Sequence, residues 1–110
     1  MTMIRAGKLT EHLTFERREE LVQASGAVEV LWIVQGNLRA ELVQETADAF
    51  LGTVDRTDDR KVFRIWAVDW ITTDMRLIHA GSTYRIARIV RLDRLGLELH
   101  CVNSMDEVAV

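Results

Sequence analysis

The sequence predicts an all-β fold: a small antiparallel β-barrel or sandwich of roughly six to seven short strands, with one long loop and room for one short helix. Three observations carry this. Apolar residues recur with period two along most of the chain, which is the spacing of a half-buried strand. Glycine-containing breaks separate these runs at close intervals. Only one stretch, near the middle, carries spacings of three and four. The 110 residues fit one domain over 1–110, and a domain of this size buries about two-thirds of its unfolded surface, so a core forms without covalent staples.

The first run follows Gly7. Leu13 and Phe15 fall on one face, with Thr14, Glu16 and Arg18 on the other. Ser25-Gly26 is a turn signal. Val28, Val30 and Trp32 then alternate with Ala27, Glu29 and Leu31. Leu38, Ala40 and Leu42 continue the alternation beyond Gly36-Asn37, so strand, turn and strand is the simplest expectation. Leu42, Val43, Ala47, Phe50 and Leu51 carry the helical spacing, with Gly52 placed to end a short helix. Thr53 to Arg60 is polar and of mixed charge, and reads as an exposed loop with Phe50 and Leu51 near its tip.

"KVFRIWAVDWI" returns to β-branched and aromatic residues. Phe63, Ile65 and Ala67 oppose Val62, Arg64, Trp66 and Val68, so both faces are partly apolar and the strand is expected to be covered twice or to meet a subunit. A short strand, a turn at Ala80-Gly81-Ser82 and a second strand follow. Tyr84 and Ile86 are in phase there, while Ile89 is one step out. A β-bulge near Ala87-Arg88 restores the phase. Asp93 to Gly96 is another turn, after which Leu97, Leu99 and Cys101 alternate with Glu98, His100 and Val102. From Asn103 onward no period is visible, and the tail is expected to fray.

Composition is that of an ordinary globule, 48% apolar and 28% charged, with a net charge of -3. That balance supplies no bulk attraction to nucleic acid or anionic membrane. Proline is absent, and no Pro- or Ser-rich linker divides the chain. Arg5 and Lys8 are not followed by an apolar run, so no signal peptide is expected. No window approaches the ~20 apolar residues of a membrane span. The protein is therefore expected in the cytosol where it is made.

Candidate chemistry is sparse. The single cysteine excludes an internal disulfide and a multi-cysteine zinc site, and its phase with Leu97 and Leu99 makes it a small core residue. His12, His79 and His100 lack metal-ligand spacing. His79, just before a turn, reads as a solvated or turn-packing residue. Asp55, Asp58 and Asp59 lie among Arg56 and Arg60 and lack the glycine and terminal glutamate of a calcium loop, so a solvated loop is expected. No nucleophile elbow or phosphate loop occurs. No catalytic residue, cofactor or metal is assigned, and the chain is not expected to be an enzyme. Arg85, Arg88, Arg91 and Arg94 suit either phosphate or carboxylate contact. With an acidic remainder, ion pairing at a subunit interface is preferred. Trp32, Trp66 and Trp70 are expected mainly in the core, with one free to anchor a partner.

Taken together, "RAGKLTEHLTFERREE", "SGAVEVLWIVQGNLRAEL", "VFRIW" and "MRLIHAGSTYRIARIVRLDRLGLELHC" resemble, in order and spacing, the head-tail joining proteins of long-tailed double-stranded DNA phages, also called head-closure or stopper proteins. Prophages and gene transfer agents encode them too. Two departures stand out: the segment from Glu45 to Arg60 lacks a glycine-rich start, and Trp66 stands where tyrosine is usual. The resemblance implies a small β-barrel or sandwich with a long loop. It also implies assembly into a ring below the portal or head-tail adaptor, closing the filled head and docking the tail terminator or tail tube, without catalysis. The place implied is the virion neck, after synthesis in the bacterial host cytoplasm.

A ring uses head-to-tail contacts between unlike faces. Arg85, Arg88 and Arg91 are candidates for its basic face, and Glu41, Glu45 and Asp48 for its acidic face. The segment from Thr46 to Asp59, with Phe50, Leu51, Asp55, Asp58 and Asp59, is the candidate to face the channel or a neighbour, holding packaged DNA only weakly. Two other readings are a small nucleic-acid-binding barrel, disfavoured by the acidic charge and the few aromatics available for stacking, and another virion ring such as a tail terminator.

Overall fold

The computed structural model describes residues 4–46 and 59–103. Among these described residues, a single 3-10 turn at Ala6–Lys8 precedes six strands: β1 (Glu11–Val22), β2 (Val28–Thr46), β3 (Arg60–Trp66), β4 (Arg76–His79), β5 (Ser82–Arg91) and β6 (Gly96–Asn103). All neighbouring pairs are antiparallel, and they close into a barrel in the order β1-β2-β3-β6-β5-β4. Closure pairs the strand edges within the ring.

Period-two burial holds in every strand of the barrel. Leu13 and Phe15 from β1, Ala40 from β2, Phe63 and Ile65 from β3, Leu77 from β4, Tyr84 and Ile86 from β5, and Leu97, Leu99 and Cys101 from β6 fill one continuous interior. Ile71 and Met75, from the crossover between β3 and β4, complete it. The N-terminal segment packs outside the strands, with Ile4 seated on Gly96, where any Cβ would meet its Cγ1 at 2.6 Å.

Two features of β2 differ from the sequence reading. Gly36-Asn37 is not a turn: β2 runs through it without interruption. Phe15 pairs with Gly36 and Glu16 with Val34, so Gln35 is an extra residue and the strand is bulged there. The glycine is present for a packing reason. Trp70 stacks its edge on Phe15 at 5.5 Å, and a Cβ on residue 36 would lie 2.9 Å from the Trp70 ring. Second, Leu42 and Val43 belong to this strand, not to a helix. Leu42 pairs with Phe63 and Gln44 with Val62, leaving Val43 bulged. That bulge produced the helix-like spacing. The remainder of the helix expectation, Ala47 to Gly52, lies outside the described residues.

The expected bulge in β5 is present. Ile86 pairs with Cys101 and Arg88 with His100, so Ala87 is the extra residue and Ile89 returns to the interior phase against Leu99. The β4–β5 turn narrows to Ala80-Gly81, both with positive φ (53° and 84°), as a two-residue turn of the type favoured between twisted strands requires. Gln23 to Ala27 closes the β1–β2 hairpin, with the Gly26 amide donating to the Gln23 carbonyl at 2.8 Å.

Candidate assembly surface

Three regions carry groups that packing alone does not require. The first is a polar layer inside one end of the barrel. Lys61 is in phase with Phe63 and Ile65, Glu11 with Leu13 and Phe15, and His79 with Leu77, so all three are turned inward at the ends of their strands. Lys61 and His79 are buried. The Lys61 ammonium donates to His79 Nδ1 at 3.0 Å, and His79 Nε2 lies 2.7 Å from Glu11 Oε1. An ammonium can only donate, so Nδ1 accepts and Nε2–H donates to the carboxylate, which fixes the neutral tautomer. The His79 hydrogen bond holds the Glu11 carboxyl below the usual range. His79 also meets the Phe63 ring edge-on at 4.9 Å. The solvated or turn-packing histidine expected from sequence is therefore a buried network member. The strand phase of Glu11 and Lys61 was the signal available for it.

Lys61 reaches further. It lies 4.9 Å over the Tyr84 ring and 3.7 Å from Glu45. Burial pulls its ammonium down, but Tyr84 and the charges of Glu45 and Asp59 outweigh this and leave it raised. Asp59 is tied to the same end. Its carboxylate accepts from Tyr84 at 3.3 Å and from Asn103 at 3.2 Å, and its carbonyl accepts from the Asn103 amide at 2.8 Å. Of the loop residues singled out from sequence, Asp59 is thus an anchoring residue. Asp48, Phe50, Leu51, Asp55 and Asp58 lie outside the described residues.

The second region is the outer face of β3, β6 and β5. Arg85 pairs with Val102 and Arg88 with His100. Because Ala87 is the bulged residue, both arginines stand on the outer face, exposed and with no ion pair among the described residues. Their cross-strand partners Val102 and His100 line a groove of about 300 Å³ together with Gln44, Arg60, Val62 and Ala87. Arg91 pairs with Leu97, on the interior phase, and donates to the Arg94 carbonyl at 3.3 Å; it does not share this face. Beside the groove, Glu98 accepts from His100 at 2.9 Å and Arg64 at 3.1 Å. Burial pushes its carboxyl up, but these two bonds outweigh that and hold it below the usual range. The acidic candidates also separate: the Val43 bulge leaves Glu41 opposite Arg64 and Glu45 opposite Lys61, on opposite sides of the sheet.

The third region went unrecognised in the sequence. β1 meets β4 only as far as Glu16. Beyond it, Arg17 to Val22 pair with Val28 to Ile33 alone, so a two-stranded arm leaves the barrel. Its length is about 20–24 Å at ~3.4 Å per residue. Val22, Val28, Val30 and Val34 lie on one face of it, exposed by 71%, 56%, 41% and 55%. At the base, Arg76 donates to Glu16 at 2.7 Å and its guanidinium lies 4.2 Å over Trp32. Trp32 and Trp70 are thus structural, while Trp66 is exposed.

Among the described residues no cluster of three or more His, Cys, Asp or Glu could hold a metal ion, and no helix is long and apolar enough to cross a membrane. Burial pushes the Cys101 thiol up to about 12. The sequence profile of phage head completion proteins matches residues 4–104. The chain belongs to that family. Head completion proteins are structural and not known to be enzymatic. The same barrel recurs in protein SF1141 from Shigella flexneri 2a (TM-score 0.71, 16% identity, 94% of this chain and 99% of that one). It also recurs in a chain of the virion of a native gene transfer agent particle (TM-score 0.64, 16% identity, 83% and 90%). At this identity the likeness establishes the fold. No curated protein matches the chain in sequence.

Proposed function

We propose that this head completion protein assembles as a ring in the neck of a phage-type particle, below the portal or its adaptor. There it closes the DNA-filled head and presents a surface to the tail terminator or tail tube. The observation that carries the reading is the family match across 4–104. The gene transfer agent virion that contains a similar chain supports it. The residues add physical support. The polar layer pins Glu45 and Asp59, one on each side of residues 47–58, to the barrel end. This segment is therefore the proposed element facing the channel or a neighbour. Contact with passing DNA is transient and non-specific in this reading, because the chain has no net positive charge to hold it.

The test is genetic and structural. Deleting the gene from its particle-producing strain is expected to leave DNA-filled heads without tails in electron micrographs. Adding the purified protein to those heads, with free tails, is expected to restore tailed particles. Tailed, infectious or transferring particles made without the protein would overturn the reading.

A further inference from the structure

The arm and the groove are complementary, and every copy of the chain carries both. The arm face is a strip of four exposed valines with Glu20 among them, opposite Val30 and two residues from Val22. Over residues 16–30 the arm holds four carboxylates against two guanidiniums. The groove offers the converse: Val62, Ala87 and Val102 supply apolar lining beside Arg60 and His100, and the exposed Arg85 and Arg88 stand next to it as the cross-strand partners of Val102 and His100. Arg85 and Arg88 have no ion-pair partner among the described residues.

A hairpin standing alone in water is marginal, and a contiguous exposed apolar strip of this kind marks a contact surface. Beyond Glu16 the arm's strands pair only with each other; the barrel meets the base of this face through Arg76 over Trp32, and Val22, Val28 and Val30 stay exposed. Arg17, Arg18, Glu19 and Glu20 charge the open edge of β1, which blocks indiscriminate strand addition. Among the described residues the outer edge of β2 is unpaired as well from Val28 to Ala40, and the valine strip beside it offers an apolar face for packing.

We infer that the arm of one copy docks its Val22–Val28–Val30 face into the β3–β6–β5 groove of the next copy, with Glu20 meeting Arg88. The contact is head-to-tail, because the two surfaces are different patches of one chain, and such contacts propagate into rings when the rotation closes. The Arg18–Glu20 pair within the arm is no obstacle. Both side chains are about half exposed, at 45% and 51%, and such pairs contribute little in water. This inference rests on the ring reading and names the surfaces that would form the ring.

The test uses neck-assembled protein carrying cysteines at Val28→Cys and Val102→Cys, joined by a short bismaleimide. Buried Cys101 stays out of the reaction. A ladder of covalent multimers is expected from the double variant, with no dimer from Val28→Cys alone. A Val22→Ser, Val28→Ser, Val30→Ser variant is expected to keep the wild-type unfolding midpoint as a monomer. It should fill heads with tails roughly tenfold or more less efficiently, since three buried valines are lost from the contact. Arg88→Glu should lower assembly in the same way, and Glu20→Arg should restore part of it. Dimers from Val28→Cys alone would show arm meeting arm and overturn the inference. So would the absence of any ladder in protein that still joins tails, or triple-serine protein that joins tails normally; in both cases the ring reading would survive. Wild-type protein that fails to join tails would sink the ring reading, and this inference with it.

Discussion

The two halves of the β1–β2 pair share strands, register and alternation, and have opposite fates. Near the barrel, Leu13, Phe15 and Ala40 are sealed in the core. Beyond Glu16, β-branched residues at the same spacing stand in solvent. Local propensity is the same in both halves. What differs is the third layer: β4 and the crossover residues Trp70, Ile71 and Met75 cover the first half, while the second is met, among the described residues, only at its base, by Arg76 over Trp32, and its tip valines stay exposed. Alternation therefore fixes which residues share a face, while the rest of the chain decides whether that face is core or contact surface.

Substitutions can break this comparison at either end. The largest effect is expected inside the barrel. Phe63→Ala should cost about 3–5 kcal/mol in urea unfolding, through lost burial and an unfilled cavity. Next comes His79→Ala, which removes the hydrogen-bond partner of both the buried Lys61 ammonium and the Glu11 carboxylate, at about 1–3 kcal/mol by the same measurement. Gly36→Ala places a Cβ against Trp70 and should cost about 1–2 kcal/mol, through displaced packing; near-wild-type stability would show that Trp70 shifts freely. On the arm, Val28→Ser or Val30→Ser should change monomer stability by less than about 0.5 kcal/mol, and a loss as large as a core substitution would mean that the arm is covered in the monomer.

Acid sharpens the contrast in a different way. The Glu11 carboxyl is held below its ordinary value of 4.5 by His79. Its contribution is thus present above that ordinary value and is lost as the pH falls through the lower folded value. Glu11→Gln should flatten the acid limb of the stability profile in that window.

Strand phase made much of the barrel legible. Leu13 with Phe15, Tyr84 with Ile86, and Leu97 with Leu99 and Cys101 are buried as alternation requires, and the out-of-step Ile89 marks the Ala87 bulge. Where the reading failed, the cause was a bulge of another kind. At Gly36 a glycine serving an aromatic neighbour looked like a turn residue, because its packing partner is far along the chain. At Val43 an inserted residue mimicked helical spacing. The polar layer was partly visible, since Glu11 and Lys61 occupy interior phases. Their convergence on His79 depends on barrel closure, which no single strand records. The separation of Glu41 from Glu45 follows from the Val43 bulge, and that of Arg91 from Arg85 from the Ala87 bulge, each of which moves later residues to the other side of the sheet.

The length of β2 has one more consequence. Around Ala40 the strand passes from its ladder with β1 to its ladder with β3 and lies buried in the closed barrel, while near Val30 it stands exposed beside β1 alone. A single strand should then show two rates of hydrogen–deuterium exchange, slow at one end and fast at the other. Exchange at Val28 to Val34 would consequently report on neighbours: quick in the free protein, and slowed once another chain lies across it.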